Sequence, residues 1–298
     1  MNLNKWWQLI RTGLGSVWKR FIAFLKSRAL RYFLWMAFRF TVAAAALMGV
    51  IGLIFWGIGS NYSLEWDKAL NFLSWYNKGI VVTIELFIFS AIIALTLGLI
   101  VALLRLVPFA PVRDLAGLYI HIFRNLPALV VLLLFFFGLG QIIQISSIEV
   151  FDRKYSAIFI WSVIAFGVYE SSYLAEIFRA GIQSVHQTQI EAAQSLGMGY
   201  FRTMWYVILP QAFRVILPPM TGIMVALVKE TALIYLVGGV GDLTYQVRQL
   251  AIPSRPYVFE FYTILAAYYL SIVIPMSLLS QWLESRLGIS KARRQAVE

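Results

Sequence analysis

Cysteine is absent from the 298 residues, so no disulfide and no thiolate metal site can form, although this says nothing about the compartment. Histidine occurs only twice, as His121 and His186 far apart in sequence, which argues against a histidine-rich metal centre. No glycine is followed by lysine anywhere, so the G-x-x-x-x-G-K-[ST] phosphate loop is missing and the chain carries no nucleotide motor of that kind. Charge is also scarce. Charged residues make up 13% of the chain, where soluble domains carry about a quarter. Hydrophobic residues reach 60% and mean hydropathy is +0.76, so the chain is one solvated mainly by lipid.

Six stretches are apolar for about the 20 residues that a helix needs to cross a bilayer. They lie at roughly 37–59, 79–104, 118–143, 157–177, 215–240 and 259–282. An even number puts both termini on one side, and lysine and arginine say which. Segments 1–36, 105–117, 178–214 and 283–298 hold 16 of them, and the alternate segments 60–78, 144–156 and 241–258 hold 6. Both ends are therefore expected in the cytoplasm. Most of the net charge of +11 is this topology signal rather than a nucleic-acid footprint. Residues 1–36 interleave Lys5, Arg11, Lys19, Arg20, Lys26, Arg28 and Arg31 with Trp6, Trp7, Trp18, Phe21 and Phe24. That mixture suits either an amphipathic helix on the anionic inner leaflet or a solvated basic tail. Residues 286–298 form a second basic tail. No cleavable leader is expected, because the first long apolar run begins late.

The longest polar connection, about 178–214, is too short for a core of its own, and long ordered loops are usually functional. Within it Thr188-Gln189-Ile190-Glu191 reads as a capping box, with Thr188 and Glu191 each satisfying the other's backbone amide. Ala192 and Ala193 continue the helix with little bulk, and Gly197 suits a left-handed end. The expected product is a short helix that another surface can approach closely. An ordinary linking helix is the plainer alternative.

Ionisable groups inside spans are costly unless paired or hydrated, so Glu85, Glu170, Lys229, Glu230 and Glu260 mark candidate positions on a solute path. Lys229 offers a cation, Glu230 and Glu170 offer anions, and Thr231 and Ser171 add hydroxyls. Lys229 paired with a nearby Glu merely to neutralise it, or snorkelling outward, is the competing reading. Glu176 and Arg179 stand three apart on a helix, at pairing distance. Arg124 before Pro127 is an interfacial anchor or a gate residue. Pro210, Pro218 and Pro219 are expected to break helical hydrogen bonding and redirect the chain into the fifth span. Pro275 is expected to kink the last span, and Gly238, Gly239 and Gly241 form either a loosened gate or a simple turn.

Glu191-Ala192-Ala193, Gly197 and Val207-Ile208-Leu209-Pro210 together resemble the E-A-A-x3-G-x9-I-x-L-P loop of permease subunits in ATP-binding-cassette (ABC) importers, with Val207 where Ile is usual. Within that superfamily the chain is most similar to the permeases of polar amino-acid importers, over roughly 79–285. Phe123-Arg124-Asn125-Leu126-Pro127 resembles the family's F-R-G-T-P, and Glu176 to Val185 resembles E-I-F-R-G-G-I-x-S-V. Leu209-Pro210-Gln211-Ala212, Leu217-Pro218-Pro219 and Lys229-Glu230-Thr231-Ala232-Leu233 resemble L-P-Q-A, L-P-P and K-D-T-S-L. Asn125, Leu126, His186 and Thr188 depart from the usual Gly, Thr, Pro and Gly.

The resemblance implies an all-α integral membrane protein of the type I ABC importer permease fold, with five core transmembrane helices at 79–285 and one extra N-terminal helix at 37–59. A coupling loop at about 186–207 would dock a dimeric ABC ATPase through Thr188, Glu191, Ala192, Ala193 and Gly197. The remaining partners implied are a second permease subunit, identical or homologous, an extracytoplasmic solute-binding protein, membrane lipid and an amino-acid substrate, with no nucleic acid. The chain would be a transporter subunit of the cytoplasmic (inner) membrane, not an enzyme. It would hold no cofactor and no metal, ATP being bound by the partner. An ion-gradient-driven secondary transporter is the alternative, against which stands the lack of two related halves. A membrane-embedded enzyme would need a nucleophile with a base, or a metal cluster, and neither is evident.

Overall fold

The computed structural model describes residues 64–145, 147–150, 153–251 and 257–286, with further helical positions between 35 and 53. The basic segment expected within 1–36 lies almost wholly outside the described residues, as does the tail at 286–298. The chain forms two compact units, Met1–Leu64 and Glu65–Glu298. In the first, an apolar helix covers Phe38–Val50. The leading span expected at 37–59 is thus helical where it is described.

The second unit begins with the short helix α1 (Trp66–Leu70) and the long α2 (Leu73–Leu106). Helices α3 (Ala110–Asn125) and α4 (Ala128–Ile142) follow, then a hairpin of β1 (Ser147–Val150) and β2 (Arg153–Ser156). The remainder is α5 (Ala157–Gln183), α6 (Gln187–Ser195), α7 (Tyr200–Val237), α8 (Leu243–Ala251) and α9 (Val258–Arg286). Among the described residues four helices, α2, α5, α7 and α9, are long and apolar enough to cross a membrane. The expected spans at 79–104, 157–177 and 259–282 fall inside α2, α5 and α9. The 34 residues of α2 extend roughly 51 Å at 1.5 Å each, well beyond a hydrocarbon core.

Two expectations are corrected. The span at 118–143 is not one helix. α3 and α4 meet at a bend of 108°, a broken span or a re-entrant loop. Pro127 is the cause, since its ring drives Leu126 into the extended region (φ −92°, ψ 143°) and it has no N–H to continue α3. Conversely, the prolines near the fifth span do not redirect the chain. Pro210 sits in the first turn of an α-helical stretch, Leu209–Glu230, and Pro218 and Pro219 lie inside it. α7 starts at Tyr200, passes through a π-turn at Met204–Ile208, and finishes in a 3₁₀ turn, Thr231–Val237. Membrane helices tolerate such prolines because neighbouring helices, side-chain hydroxyls and local adjustments of helical pitch re-satisfy the freed backbone groups. Pro275 likewise lies within α9, which the structure assigns as a single helix.

α5 is the centre of the unit, packed between α2 and α7. Lipid offers no hydrophobic drive between helices, so close approach must come from small residues. Ala94, Ala102, Ala165, Ala175 and Ala212 are fully buried. A Cβ on Gly98 would lie 2.8 Å from Leu174 Cβ, and one on Gly181 would lie 2.2 Å from Ile216. The outward face of α9 exposes Leu270, Ile274, Leu278 and Trp282, as a lipid-facing surface requires.

Candidate functional site: a docking helix and a buried acidic pair

Helix α6 is the short helix expected from the E-A-A loop, but its start differs. Gln187 is the first helical residue, and His186 holds the cap position in extended conformation (φ −60°, ψ 136°). Thr188 is therefore already helical, and the Thr188–Glu191 capping box does not form. Val185, 92% buried, fixes where the chain enters and so advances the helix start by two residues. The end matches the expectation closely. Gly197 takes φ +78°, its N–H donates to the Gln194 carbonyl at 2.9 Å, and the Met198 N–H donates to the Ala193 carbonyl at 3.1 Å. That is a complete Schellman motif.

Ala193 is buried beneath α6, while Thr188, Glu191 and Ala192 are exposed on it. A contact absent from sequence reasoning braces the helix. Gln211 Nε2 donates to Gln189 Oε1 at 2.7 Å and to the Val207 carbonyl at 2.9 Å, tying α6 to α7. Thr203, buried at the start of α7, donates to the Gly199 carbonyl at 3.2 Å. Leu196, Tyr200, Phe201, Trp205 and Tyr206 stand exposed beside α6, a further patch that sequence reasoning missed. The Y-F-x3-W-Y run was its signal. At the base of the loop Arg179 pairs with Glu176 (Nη2 to Oε1 2.5 Å, Nε to Oε2 3.1 Å). Arg124 lies 5.4 Å above the Tyr173 ring, and Tyr173 Oη donates to the Arg124 carbonyl at 3.2 Å. Both residues therefore have firm structural contacts.

The structure brings some of the solute-path residues together and separates others. Glu170 on α5 is 1% exposed and lies near enough to the half-buried Glu230 on α7 to feel its charge. Glu230 Oε2 is buried with no hydrogen-bond partner among the described residues. Lys229 is exposed and forms no close ion pair among the described residues, although its charge reaches the adjacent Glu230. Ser171 points away toward α3, donating to the Val168 carbonyl at 2.7 Å and meeting Tyr119 Oη at 2.5 Å. Thr231 is fully buried, with its hydroxyl given to the Val228 carbonyl at 2.7 Å. Successive helical residues diverge by about 100°, and here Ser171 spends its hydroxyl on Val168 and Tyr119 rather than beside Glu170.

Two other acidic residues have different work. Glu260 accepts the Glu65 N–H at 2.9 Å, joining α9 to the chain ahead of α1. Glu85 forms an ion pair with Arg153 of β2.

A second buried polar group follows α7. Gly238, Gly239 and Gly241 all have positive φ (119°, 70° and 85°), and a Cβ on Gly239 would lie 2.1 Å from the Tyr245 ring. This is a tightly packed turn, not a loosened gate. It delivers Asp242, fully buried, whose carboxylate accepts the N–H groups of Thr244 (3.2 Å), Tyr245 (3.4 Å) and Val240 (3.4 Å). Burial nonetheless pushes the Asp242 carboxyl above the usual aspartate range, against those bonds. α8 then lies close on α2, with Gly79 leaving room for the Leu243 backbone and Thr83 Oγ1 accepting the Leu243 N–H at 3.1 Å.

Comparison with known proteins gives this geometry a setting. The family described as "Binding-protein-dependent transport system inner membrane component" matches residues 94–289. A probable glutamine ABC transporter permease protein of Bacillus subtilis (strain 168) is 34% identical over 228 residues, covering 76% of this chain and 98% of that one. An arginine transport system permease protein of the same organism is 28% identical over 225 residues, covering 76% and 98%. A glutamate/aspartate import permease protein of Escherichia coli O157:H7 is 33% identical over 174 residues, covering 58% and 77%. Among solved structures, an amino acid ABC transporter crystallised with histidines superposes with a TM-score of 0.67 at 33% identity, over 75% of this chain and 99% of that one. An inward-facing methionine ABC transporter shares the fold at a TM-score of 0.54 and 16% identity, over 72% and 95%.

Proposed function

The chain belongs to the family of inner-membrane components of binding-protein-dependent transport systems, and from that premise we propose that it carries polar amino acids inward, driven by a separate ATPase docked on α6. It is a multi-pass membrane subunit of an ABC importer with the type I permease fold. The ion-gradient alternative falls with that assignment. The substrate class rests on relatives named for glutamine, glutamate and arginine at up to 34% identity.

The observation that carries the coupling reading is α6 itself. Its Schellman end and the Gln189–Gln211 bond hold a short helix rigidly against α7, while Thr188, Glu191 and Ala192 stay open to a partner. α7 runs on from that brace to Glu230, so one helix connects the docking surface with the buried acidic pair. ATP binding and hydrolysis then select between inward- and outward-facing arrangements by differential affinity for the two. Lys229 meets the solute carboxylate, Glu230 and Glu170 meet its ammonium, and Thr231 and Ser171 support the helices around them. Arg124, Pro127, Glu176, Arg179, Pro210, Pro218 and Pro219 anchor the chain around the docking loop and the entry to α7.

The working assembly is two permease subunits, an ATPase dimer and an extracytoplasmic binding protein in the cytoplasmic membrane, with both termini of this chain in the cytoplasm. The chain has no catalytic activity of its own and holds no cofactor. Glu191→Ala in the reconstituted complex tests the coupling reading. ATP hydrolysis is expected to continue while uptake of labelled glutamine, glutamate or arginine falls, with the subunit still in the membrane. Unchanged uptake at an unchanged ratio of ATP to solute refutes it.

A further inference from the structure

At the end of α5 away from the docking helix, the hairpin and α2 line a half-open cavity of about 220 Å³. The 27 residues of α5 put roughly 40 Å between the two sites, so they face opposite sides of the membrane. Val82, Phe159 and Val240 form its apolar wall, and Glu85, Arg153 and Lys154 bring charge of both signs to it. The Glu85 side chain is only 19% exposed, deep for a carboxylate, and Arg153 holds it through Oε1. Lys154 stands opposite Glu149 in the hairpin register yet makes no ion pair among the described residues.

We propose that this cavity is an outer receiving site for a free α-amino acid, occupied before the solute reaches the buried acidic pair; it rests on the amino-acid reading above. An α-amino acid carries an ammonium and a carboxylate on one carbon, so a site for it must present opposite charges a few ångströms apart. Arg153 engages Oε1 of Glu85, and Oε2, with no hydrogen bond among the described residues, takes the ammonium. Lys154, together with the other N–H groups of the Arg153 guanidinium, takes the carboxylate. The volume is below the roughly 300 Å³ at which sites for drug-sized ligands begin, and so suits a small solute. The apolar wall receives the aliphatic part of the side chain.

Because the chain has no cysteine, a single introduced thiol reports on the cavity cleanly. Val82→Cys and, separately, Val240→Cys are placed in the complete permease–ATPase complex in nanodiscs, without binding protein. Alkylation of this subunit by a membrane-impermeant reagent is then followed by mass spectrometry. l-Glutamine, l-glutamate or l-arginine is expected to slow labelling saturably, by about tenfold at ten times the half-protecting concentration. The N-acetyl and carboxamide derivatives of the same amino acid lack one charge each and are expected not to protect. Adding Glu85→Gln is expected to abolish protection. Unprotected labelling at both positions by an amino acid that the complex does transport overturns the proposal, as does equal protection by the derivatives, or failure of the reagent to reach either thiol. Loss of ATP-driven uptake of all three amino acids would instead overturn the functional reading beneath it.

Discussion

Gly197 and Gly199 are two glycines in one loop of which only the first is left-handed, and Gly→Ala at each isolates the cost of backbone strain. A Cβ at either position meets nothing within 4 Å, so neither substitution clashes. Gly197 has φ +78° and Gly199 has φ −69°. An L-residue in the left-handed region costs about 1–2 kcal/mol, so Gly197→Ala strains the Schellman end of α6 by that amount. At Gly199, which caps the start of α7, alanine loses some capping preference and gains from a less flexible unfolded chain. The two nearly cancel, leaving a change within about 0.5 kcal/mol.

The strain at Gly197 matters because a helix of nine residues is marginal by itself. A penalty of 1–2 kcal/mol shifts its closed-to-open ratio by about 5- to 30-fold. A partner that binds only the closed form sees its apparent affinity fall with the competent fraction. The assay is titration of the ATPase onto permease in nanodiscs, for wild type and both variants. Gly197→Ala is expected to weaken docking by up to that factor and Gly199→Ala to leave it near wild type. Equal weakening by both, or none by either, refutes the claim that the left-handed end of α6 sets the docking surface.

Two further outcomes follow from the geometry. Gln211→Leu removes the bonds to Gln189 and to the Val207 carbonyl, at about 0.5–1.5 kcal/mol each. It is expected to raise the ATP hydrolysed per solute carried, with a fall of a few degrees at most in the melting temperature of the complex. Asp242 is raised above the usual aspartate range, so the folded chain binds its proton more tightly than the unfolded chain does. The resulting stability is complete below the ordinary aspartate range and is lost as pH rises through the raised value. Asp242→Asn is expected to remove that component, so the melting temperature of the variant gains on wild type as pH rises through this window. Parallel melting curves across it contradict the assignment.

What could be read from the sequence was whatever depends on neighbours along the chain or on averages over a helix length. Hydropathy located α2, α5 and α9 because a span must be apolar over its whole length. Gly197 was legible because few other residues take positive φ cheaply. The capping box failed for a reason outside its own four residues. Thr188 has the right chemistry, but burial of Val185 sets the entry of the chain and starts the helix at Gln187. Pro127 failed in the opposite direction, since a hydropathy window averages across a bend that Leu126-Pro127 alone imposes. By the rules for helices in water Pro218 and Pro219 are breakers, yet α7 runs through them. Nothing local could have announced the meeting of Thr83 with Leu243, 160 positions apart, or of Gln189 with Gln211 across a loop. Each such contact satisfies polar groups through a partner from a different helix. The residues most informative about coupling and solute handling are therefore those whose chemistry stays incomplete until the fold closes: Gln211 without Gln189, Glu85 without Arg153, and Glu230, whose Oε2 is still unsatisfied among the described residues after folding. A buried carboxylate oxygen left without a donor is costly. That cost is offset if the missing donor arrives with the solute, which is the role assigned to Glu230 on the solute path.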